Sequence, residues 1–289
     1  MDRGQRQGIV AALLAGDHAD AERLLETCNR YEGLDLPIFL GLTAGLGDAV
    51  TEFCFYDNGA LVGFAWLPDD PEPEACLMVD PGHRRQGIGR ALVAAVRIEC
   101  QRRGLPGCLL VCDDSARSGP IFATAVGGRY LSSEYRLELD PEAIDRSRPR
   151  QAVALRPARV DNAATLARIQ AASFGLSEEE AREQVGRGLD KPKRRCYLAT
   201  VGGEPVGMLQ AGEWEGEGAA GINAFVVLPE YRGRGIGRQM LVDAVDALLA
   251  DGWARVLIEV ATDNKGALAL YRSCGFREVT AYVFYDLAV

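Results

Sequence analysis

The chain has 289 residues, of which 48 % are apolar and 25 % are charged, as expected of a soluble protein with one large or two ordinary domains. Its formal net charge of −9 argues against a nucleic-acid-binding surface, which is basic as a rule. The sequence has no run of about 20 apolar residues that would span a bilayer.

The N-terminus and the cysteines indicate a cytoplasmic protein without a signal peptide. The short apolar run near the N-terminus is interrupted by Asp17 and His18, so it lacks the apolar core of a signal peptide. The eight cysteines form no C-x-x-C pair and lie mostly in apolar runs, which is typical of buried free thiols in a reducing compartment. With two histidines, His18 and His83, and no ligand spacing, we expect no metal site.

A long internal repeat divides the chain. Residues 79–90 (VDPGHRRQGIGR) match residues 227–238 (VLPEYRGRGIGR), and a hairpin pattern at 57–63 matches one at 201–207. The repeat covers about half of the chain and therefore predicts two domains rather than a solenoid. The polar, Pro-bearing segment 140–150 predicts the junction, which gives domains at 1–145 and 151–289.

The second half alternates strand and helix patterns, and the first half follows the same order with weaker signals. This order predicts an α/β fold with a mixed sheet flanked by helices. In chain order the second half predicts a strand at 153–155, helices at 161–173 and 178–188, paired strands at 196–201 and 205–211, an apolar central strand at 221–228, an amphipathic helix at 238–251, a buried strand at 255–260, a helix at 267–274 ended by Gly275, and a closing strand at 282–287.

A loop rich in glycine and arginine lies between the central strand and the amphipathic helix of the second half. Helix N-termini present unpaired N–H groups to anions, and glycines allow close approach, so this loop predicts a pyrophosphate cradle. A P-loop would need Gly-Lys-Ser/Thr, and a dinucleotide fingerprint would need a third glycine at Arg238 or Met240. The spacing that holds is Arg-x-x-Gly-x-Gly, formed by Arg232, Gly235 and Gly237 and again by Arg84, Gly87 and Gly89.

This spacing resembles the acetyl-CoA signature of the GNAT-type N-acetyltransferase superfamily. The resemblance implies two tandem GNAT-like domains, each with a mixed, mostly antiparallel central sheet flanked by helices, and acetyl-CoA as the co-substrate. The preceding strand is implied to pair with pantetheine and the loop to hold the pyrophosphate. The cofactor-binding residues so implied are Phe225, Val226, Val227, Arg232, Gly233, Arg234, Gly235, Ile236, Gly237 and Arg238 in the second half, and Met78, Val79, Arg84, Arg85, Gln86, Gly87, Ile88, Gly89 and Arg90 in the first.

The second half also resembles the family downstream of its loop. A strand, Asn264 and a helix ending in Tyr-x-x-x-Gly-Phe at Tyr271 follow one another. The resemblance implies that Asn264 hydrogen-bonds the CoA arm and that Tyr271 lies near the thioester sulfur, where a phenol can protonate the leaving thiolate. The alternative for Tyr271 is a core aromatic beside Phe276. Glu259 is the candidate base.

The role of Glu259 has rivals elsewhere in the second half. Many relatives carry a glutamate at this place for other reasons. Glu213, Glu215 and Asn223 lie before or on the central strand and are alternatives that would act through an ordered water.

The first half lacks both candidate proton-transfer groups. Counting equal intervals places Ser115, Phe122 and Leu110 where Asn264, Tyr271 and Glu259 stand. Pro120 is also expected to disturb the helix, because proline is poorly tolerated beyond the first turn. We therefore expect a domain that transfers no acetyl group but retains a loop able to bind CoA. The tandem arrangement with a competent second half is similar to that of the mycothiol synthase family.

The predicted function is transfer of acetyl from acetyl-CoA to a primary amine of a small molecule or peptide, by direct attack in a ternary complex. No nucleic acid or membrane partner is expected. The acidic segments 177–183 and 213–217 either attract a cationic amine or form a solvated face, and Trp214 is either a substrate platform or a packing residue. The alternative function is a non-catalytic acyl-CoA sensor.

Overall fold

The computed structural model describes residues 8–11, 18–34, 36, 49–147, 151–190, 193–214 and 218–289. The chain forms two compact units: the first contains residues 1–134 and 280–289, and the second contains residues 135–279. These limits differ from the predicted domains, 1–145 and 151–289, at residues 135–145 and 280–289. The predicted junction falls partly on residues 148–150, which lie outside the described residues.

In its described residues, the first unit is a mixed sheet with three α-helices. Its sheet order is β1-β2-β3-β4-β5-β12, in which β4 and β5 run parallel and the other pairs run antiparallel. Its elements are β1 (Gly8–Ala11), α1 (His18–Glu32), β2 (Glu52–Asp57), β3 (Ala60–Trp66), β4 (Glu74–Val79), α2 (Ile88–Arg102), β5 (Gly107–Asp113), α3 (Gly119–Ala125), the start of β6 (Arg129–Leu139) and most of β12 (Phe276–Ala288).

The second unit repeats this plan. Its sheet order is β6-β11-β10-β9-β8-β7, in which β10 and β11 run parallel, whereas β7–β8, β8–β9 and β9–β10 are antiparallel. This is the mixed α/β fold that the sequence predicts. Besides the end of β6, its elements are β7 (Ala154–Pro157), α4 (Ala163–Phe174), α5 (Glu178–Asp190), β8 (Arg194–Val201), β9 (Glu204–Trp214), β10 (Ala219–Val227), α6 (Ile236–Ala250), β11 (Val256–Ala261) and α7 (Lys265–Ser273).

Local chemistry explains where these elements begin and end. The two predicted hairpins turn at Asn58–Gly59 and Gly202–Gly203, where all four residues have positive φ, as a two-residue type I′ turn requires. The expectation that Pro120 disturbs its helix is wrong. Pro120 lies in the first turn of α3, where the missing N–H has no intrahelical partner in any case.

The sheet of the second unit buries both of its faces. Ile222 and Ile258 pack with residues of α6 such as Met240, whereas Met208 packs with α4 and α5 on the opposite face. Side chains alternate between the faces along each strand, so the residues next to Ile222 and Ile258 face α4 and α5. In the first unit, two clusters cover the two faces in the same way, one with α2 and one with α1.

Three further observations bear on function. No helix in the described part of the chain is long and apolar enough to cross a membrane. The eight cysteines are free thiols, and all except Cys112 are buried. Among the described residues, no three His, Cys, Asp or Glu side chains cluster as the ligands of a metal ion would.

Candidate active site

The loop before α6 ends in an uncapped helix N-terminus. Gly235, at the N-cap, has a left-handed φ of 76° and offers no side chain to cap the first turn. The first N–H groups of α6 are therefore left for an anion. Ile236 is a buried core residue, so it can contribute its backbone alone. In the first unit Gly87 has the same place, a φ of 87° and no side-chain cap.

The arginines around the second loop have different roles. Arg232 donates from Nε to the Val227 carbonyl oxygen at 2.9 Å, which fixes the turn. Arg234 lies over the Tyr231 ring, 5.4 Å from its centroid. Arg238 donates to the backbone oxygens of Ser273 at 2.5 Å and Asp145 at 2.7 Å. Its guanidinium thus fastens α6 to the end of α7 instead of standing free beside the loop.

The parallel strands β10 and β11 separate halfway along their length. Their pairing ends at Ile222 and Ile258, although both strands continue. At the same place the β9–β10 register shifts between Asn223 and Val226, and Ala224 has a φ of 46°. This β-bulge leaves backbone groups of Ala224 and Phe225 out of the ladder. The predicted pantetheine strand, Phe225 to Val227, follows the bulge.

Tyr271 lies beside this gap. It is 6 % exposed, and its ring stacks on Phe225 with centroids 6.1 Å apart and lies 6.3 Å from Phe276. Burial raises the pKa of Tyr271 to about 12, since a desolvated phenolate is unfavourable. Tyr271 is therefore both a core aromatic, the alternative that the sequence left open, and a phenol that stays protonated.

Asn264 is the N-cap of α7. Its Oδ1 accepts a hydrogen bond from the Ala267 N–H at 3.1 Å, as N-cap side chains do. Because the oxygen serves as the cap, the side-chain NH₂ group remains for a ligand. The side chain is exposed, which is compatible with the role implied for it.

Glu259 is held by an arginine that the sequence did not single out. Arg136 of β6 donates from Nε to Glu259 Oε1 at 3.0 Å, and the two side chains are 5 % and 26 % exposed. The Arg136 guanidinium also lies 5.3 Å from the centre of the Trp214 ring, and that ring covers Gly221 closely enough to exclude a Cβ there. These contacts favour packing as the role of Trp214.

Four polar side chains form a row across the sheet where β10 and β11 separate. Gln210 is paired in register with Asn223, Glu259 follows the last parallel pair, and Arg136 contacts Glu259. All four face α4 and α5, opposite to α6. We call Gln210, Asn223, Glu259 and Arg136 the polar row. Of these, Gln210 and Arg136 were missed in the sequence.

The other acidic residues that the sequence proposed are mostly paired. Glu213 accepts from Lys193 at 2.8 Å, Glu178 pairs with Arg182 at 2.6 Å, and Glu180 accepts from Ser177, which precedes α5. Residues 215–217, including the candidate Glu215, lie outside the described residues. These pairings favour the solvated face over a surface that attracts cations.

The corresponding strands of the first unit also separate, but the side chains there are apolar. Their last parallel pair is Ala75–Leu110, so Cys76 and Val111 occupy the places of Asn223 and Glu259. Trp66 pairs with Cys76, and Phe284 pairs with Val111. The register therefore aligns Val111, rather than Leu110, with Glu259. No register shift interrupts the β3–β4 pairing.

The C-terminal ends of α3 and α7 show that the predicted match of Phe122 with Tyr271 is also one residue out of place. Gly127 and Gly275 follow α3 and α7 with φ of 92° and 93°, and the residues four positions earlier are Ala123 and Tyr271. Ala123, rather than Phe122, thus stands in the place of Tyr271. Ser115 donates from its N–H and hydroxyl to Asp113 Oδ1 at 2.8 and 2.5 Å. The first unit therefore has no phenol at this place.

The first unit nevertheless has a cleft of about 740 Å³ beside its loop, lined by residues of β4, β5, α2 and α3. Arg84 there is neutralised by a carboxylate. Glu32, with a side chain 2 % exposed, pairs with Arg84 and also accepts from the Arg117 N–H at 2.8 Å and from Ser118 Oγ at 3.0 Å. Burial opposes the charge, but these hydrogen bonds lower the pKa of Glu32.

Sequence comparisons match both halves of the chain to one family. A model of the acetyltransferase (GNAT) family matches residues 163–276, and a model of an acetyltransferase (GNAT) domain matches residues 50–124. The mycothiol acetyltransferase of Kineococcus radiotolerans is 31 % identical over 291 residues, covering 94 % of this chain and 94 % of that protein. That of Streptomyces griseus is 28 % identical over 292 residues, covering 96 % and 90 %.

Solved structures share the fold. A GCN5-related N-acetyltransferase from Sphaerobacter thermophilus has a TM-score of 0.76 at 20 % identity, covering 100 % of this chain and 96 % of that one. A tandem GNAT protein from the clavulanic acid biosynthesis pathway has a TM-score of 0.66 at 21 % identity, covering 97 % and 98 %. The loops, the diverging strands and these matches agree, and the chain belongs to the GNAT acetyltransferase family, with two GNAT domains in tandem.

Proposed function

We propose that the second unit moves an acetyl group from acetyl-CoA to a primary amine by direct attack in a ternary complex. The observation that carries the proposal is the place of Tyr271, a buried phenol with a pKa raised to about 12 beside the gap between β10 and β11. A general acid must hold its proton until the leaving group needs it. The first unit has Ala123 at this place.

The second unit's own residues supply the binding of acetyl-CoA. The uncapped N–H groups of α6 would hold the pyrophosphate, and the backbone of Phe225, Val226 and Val227 would pair with the pantetheine arm. The Asn264 amide lies at the start of α7, on the way to the thioester. Backbone N–H groups that the bulge leaves out of the ladder would stabilise negative charge on the thioester oxygen.

The chemistry then needs two proton transfers. The amine nitrogen bonds to the thioester carbon and the C–S bond breaks, while Tyr271 donates its proton to the leaving thiolate. The amine gives up a proton to Glu259, directly or through a water. The Arg136 guanidinium, 3.0 Å from Glu259 Oε1, holds that carboxylate in position to accept. After the product leaves, Glu259 gives its proton to solvent and Tyr271 takes one from solvent, which restores both groups.

The first unit is proposed to bind CoA without transferring acetyl. Its cleft of about 740 Å³ and its uncapped loop glycine, Gly87, support binding. The missing phenol and the apolar residues in the places of Asn223 and Glu259 argue against turnover. The pairing of Arg84 with Glu32 neutralises the arginine that corresponds to Arg232 of the second loop.

The acceptor is proposed to be a primary amine of a small molecule or a peptide. Relatives that match nearly the whole chain are named mycothiol acetyltransferases. Mycothiol stripped of its acetyl group is therefore the first acceptor to test.

An amine panel tests the proposed function. The full-length protein is incubated with acetyl-CoA and, in turn, deacetylated mycothiol, glucosamine, lysine, spermidine and a short peptide with a free N-terminus. Loss of thioester absorbance and the mass of the product are measured. We expect one or more amines to gain a single acetyl group. Tight acetyl-CoA binding with no acetylated product from any amine would instead favour an acyl-CoA sensor.

A further inference from the structure

An unsatisfied oxygen lies in the polar row. The Oδ1 atom of Asn223 is shielded from solvent, and no described residue donates a hydrogen bond to it. Leaving a buried amide oxygen without a donor is unfavourable, so such an oxygen in a folded protein points to a partner that the chain itself does not provide.

The place of this oxygen limits what the partner can be. Asn223 directly precedes the bulge of β10 and faces α4 and α5, away from the loop at the N-terminus of α6. The thioester oxygen and sulfur of the co-substrate are hydrogen-bond acceptors and cannot satisfy an amide oxygen. The pantetheine amides do carry N–H groups, but in the proposed function these pair with the strand beyond the bulge, Phe225 to Val227. The acceptor amine carries N–H donors and must reach the thioester carbon from the side that the co-substrate leaves open.

The neighbours of Asn223 fit an amine. Glu259 and Asn223 each follow the last parallel pair of their strands and face the same side of the sheet, and the pairing with Arg136 at 3.0 Å holds the Glu259 carboxylate on that side. A carboxylate oxygen accepts several hydrogen bonds, so this pairing does not exhaust Glu259. An amide oxygen beside a carboxylate attracts an ammonium group and accepts from the neutral amine that forms from it.

We propose that Asn223 is an acceptor-binding residue: its Oδ1 takes a hydrogen bond from the acceptor's amine and, with Glu259, holds the nitrogen against the thioester carbon. The inference rests on the proposed acetyl transfer by the second unit. One N–H directed to Asn223 fixes the orientation of the nitrogen, and orientation of this kind lowers the barrier to attack. In the first unit the place of Asn223 is taken by Cys76, which supplies no amide oxygen.

Three substitutions of Asn223 separate this role from a structural one. Asn223→Ala and the similarly sized Asn223→Leu remove the oxygen, whereas Asn223→Asp keeps an acceptor. With the panel amine that turns over fastest, we expect Ala and Leu to raise the KM for the amine about tenfold, on the scale of one hydrogen bond to a charged group. The KM for acetyl-CoA should change less than about twofold, and Asp should restore most of the loss.

Binding without turnover provides a second readout. CoA replaces acetyl-CoA, and each panel amine is added to the wild type, the three Asn223 variants and Cys76→Ala, the matched change in the first unit. The rise in unfolding temperature caused by the amine is measured. We expect this rise in the wild type, Asn223→Asp and Cys76→Ala, and its loss in Asn223→Ala and Asn223→Leu.

The two readouts keep the outcomes apart. An equal rise in the wild type and Asn223→Ala, or no rise with any amine in the wild type, overturns the role of Asn223. An amine that binds through Asn223 but is never acetylated supports that role and contradicts the proposed transfer instead.

Discussion

The two units share a glycine loop, an uncapped helix N-terminus and a pair of parallel strands whose pairing ends partway along. They differ in the side chains that line the sheet where the two strands separate. In the second unit the polar row stands there. In the first unit the corresponding residues are Trp66, Cys76, Val111 and Phe284, all of which are buried in the core that α1 covers. The same scaffold thus uses one face for packing in one unit and for polar chemistry in the other.

The difference extends to the backbone. The β3–β4 ladder is regular, whereas β10 carries a bulge next to Asn223, and bulges commonly redirect side chains at functional sites. An apolar row gains from an unbroken ladder and close packing, while a site needs backbone groups and side chains left for a ligand. Because function must be argued from the site and not from the fold, the shared glycine loop does not decide which unit transfers acetyl, whereas the polar row and Tyr271 favour the second.

The proposed difference between the two units depends most strongly on Tyr271, so its replacement should have the largest effect. Tyr271→Phe removes the proton donor and keeps the ring that packs on Phe225. We expect kcat to fall about 100-fold or more, the usual range for loss of a general acid, with acetyl-CoA affinity nearly unchanged. Steady-state kinetics with the fastest panel amine measures both values. Tyr130→Phe, which alters an exposed tyrosine of the first unit, is the control, and an equal kcat for the two variants would refute the acid role.

The backbone geometry of the second loop should determine how tightly acetyl-CoA binds. Gly235→Val places a β-branched residue at a φ of 76°, which such residues avoid, and so distorts the anion cradle. We expect the KM for acetyl-CoA to rise about tenfold, roughly the loss of one or two hydrogen bonds.

Gly252→Val is the matched control for this loop variant. Gly252 has a φ of 91° at the other end of α6, so the backbone strain is similar. We expect comparable destabilisation in urea unfolding and an unchanged KM. A similar KM for both variants would mean that strain, rather than the cradle, causes the effect.

The buried ion pair of the polar row should contribute more to stability than an exposed pair between β6 and Arg255, the residue before β11. Arg136→Gln removes the guanidinium group that pairs with the Glu259 carboxylate. We expect a loss of about 2 kcal/mol in the free energy of unfolding, since removing one partner of a largely buried pair leaves the other charge desolvated without that partner's compensation, and about a tenfold loss in kcat/KM.

Arg255→Gln provides the comparison, because it breaks the Arg255–Glu138 pair, whose arginine is 45 % exposed. For this pair we expect less than about 1 kcal/mol and unchanged turnover. Denaturant unfolding and kinetics of both variants test the difference. Equal losses would show that Arg136 has no special place in the site.

The smallest effect concerns kcat as a function of pH, where we expect no change over the range in which an ordinary tyrosine ionises. The pKa of Tyr271 is raised to about 12, so the phenol stays protonated where an ordinary tyrosine, with a pKa near 10, is half ionised. We expect kcat to stay flat from about pH 8 to about pH 10. A fall in kcat centred near pH 10 would contradict the burial of this phenol.

The raised pKa of Tyr271 also makes the free energy of unfolding depend on pH. The folded chain keeps the Tyr271 proton to higher pH than the unfolded chain does, so this contribution is complete below about pH 10 and is lost as the pH rises toward 12. Tyr271→Phe should remove this part of the alkaline destabilisation, which unfolding at several pH values would measure.

The sequence predicts most of the fold because the signals are local. The strands, helices and hairpin turns of the second half follow from periodicity and from glycine positions. The predicted start of α6, at residue 238, lies two residues late, because the left-handed Gly235 sets the N-cap. The long strand β12 begins at Phe276 instead of at 282, and the membership of its end in the first unit depends on long-range pairing that periodicity does not show.

The candidate site is predictable where a motif carries it. The loop, Asn264, Tyr271 and Glu259 lie in segments that the family resemblance covers. Arg136 lies 123 residues from Glu259 in sequence, and only the register of β6 brings the two together. The sequence does offer one indication of Arg136, because an arginine lies between apolar neighbours in an alternating strand pattern around residue 136. The one-residue differences at Val111 and Ala123 arise because counting along loops ignores the register of the sheet.

A ternary complex would test the central claim, that acetyl transfer belongs to the second unit, most directly. Tyr271→Phe slows turnover enough to crystallise the full chain with acetyl-CoA and the acceptor amine. We expect the thioester between β10 and β11, with the amine nitrogen about 3 Å from Asn223 Oδ1, a normal hydrogen-bond distance. An amine bound beside the separation of β4 and β5, with the second gap empty, would contradict the account.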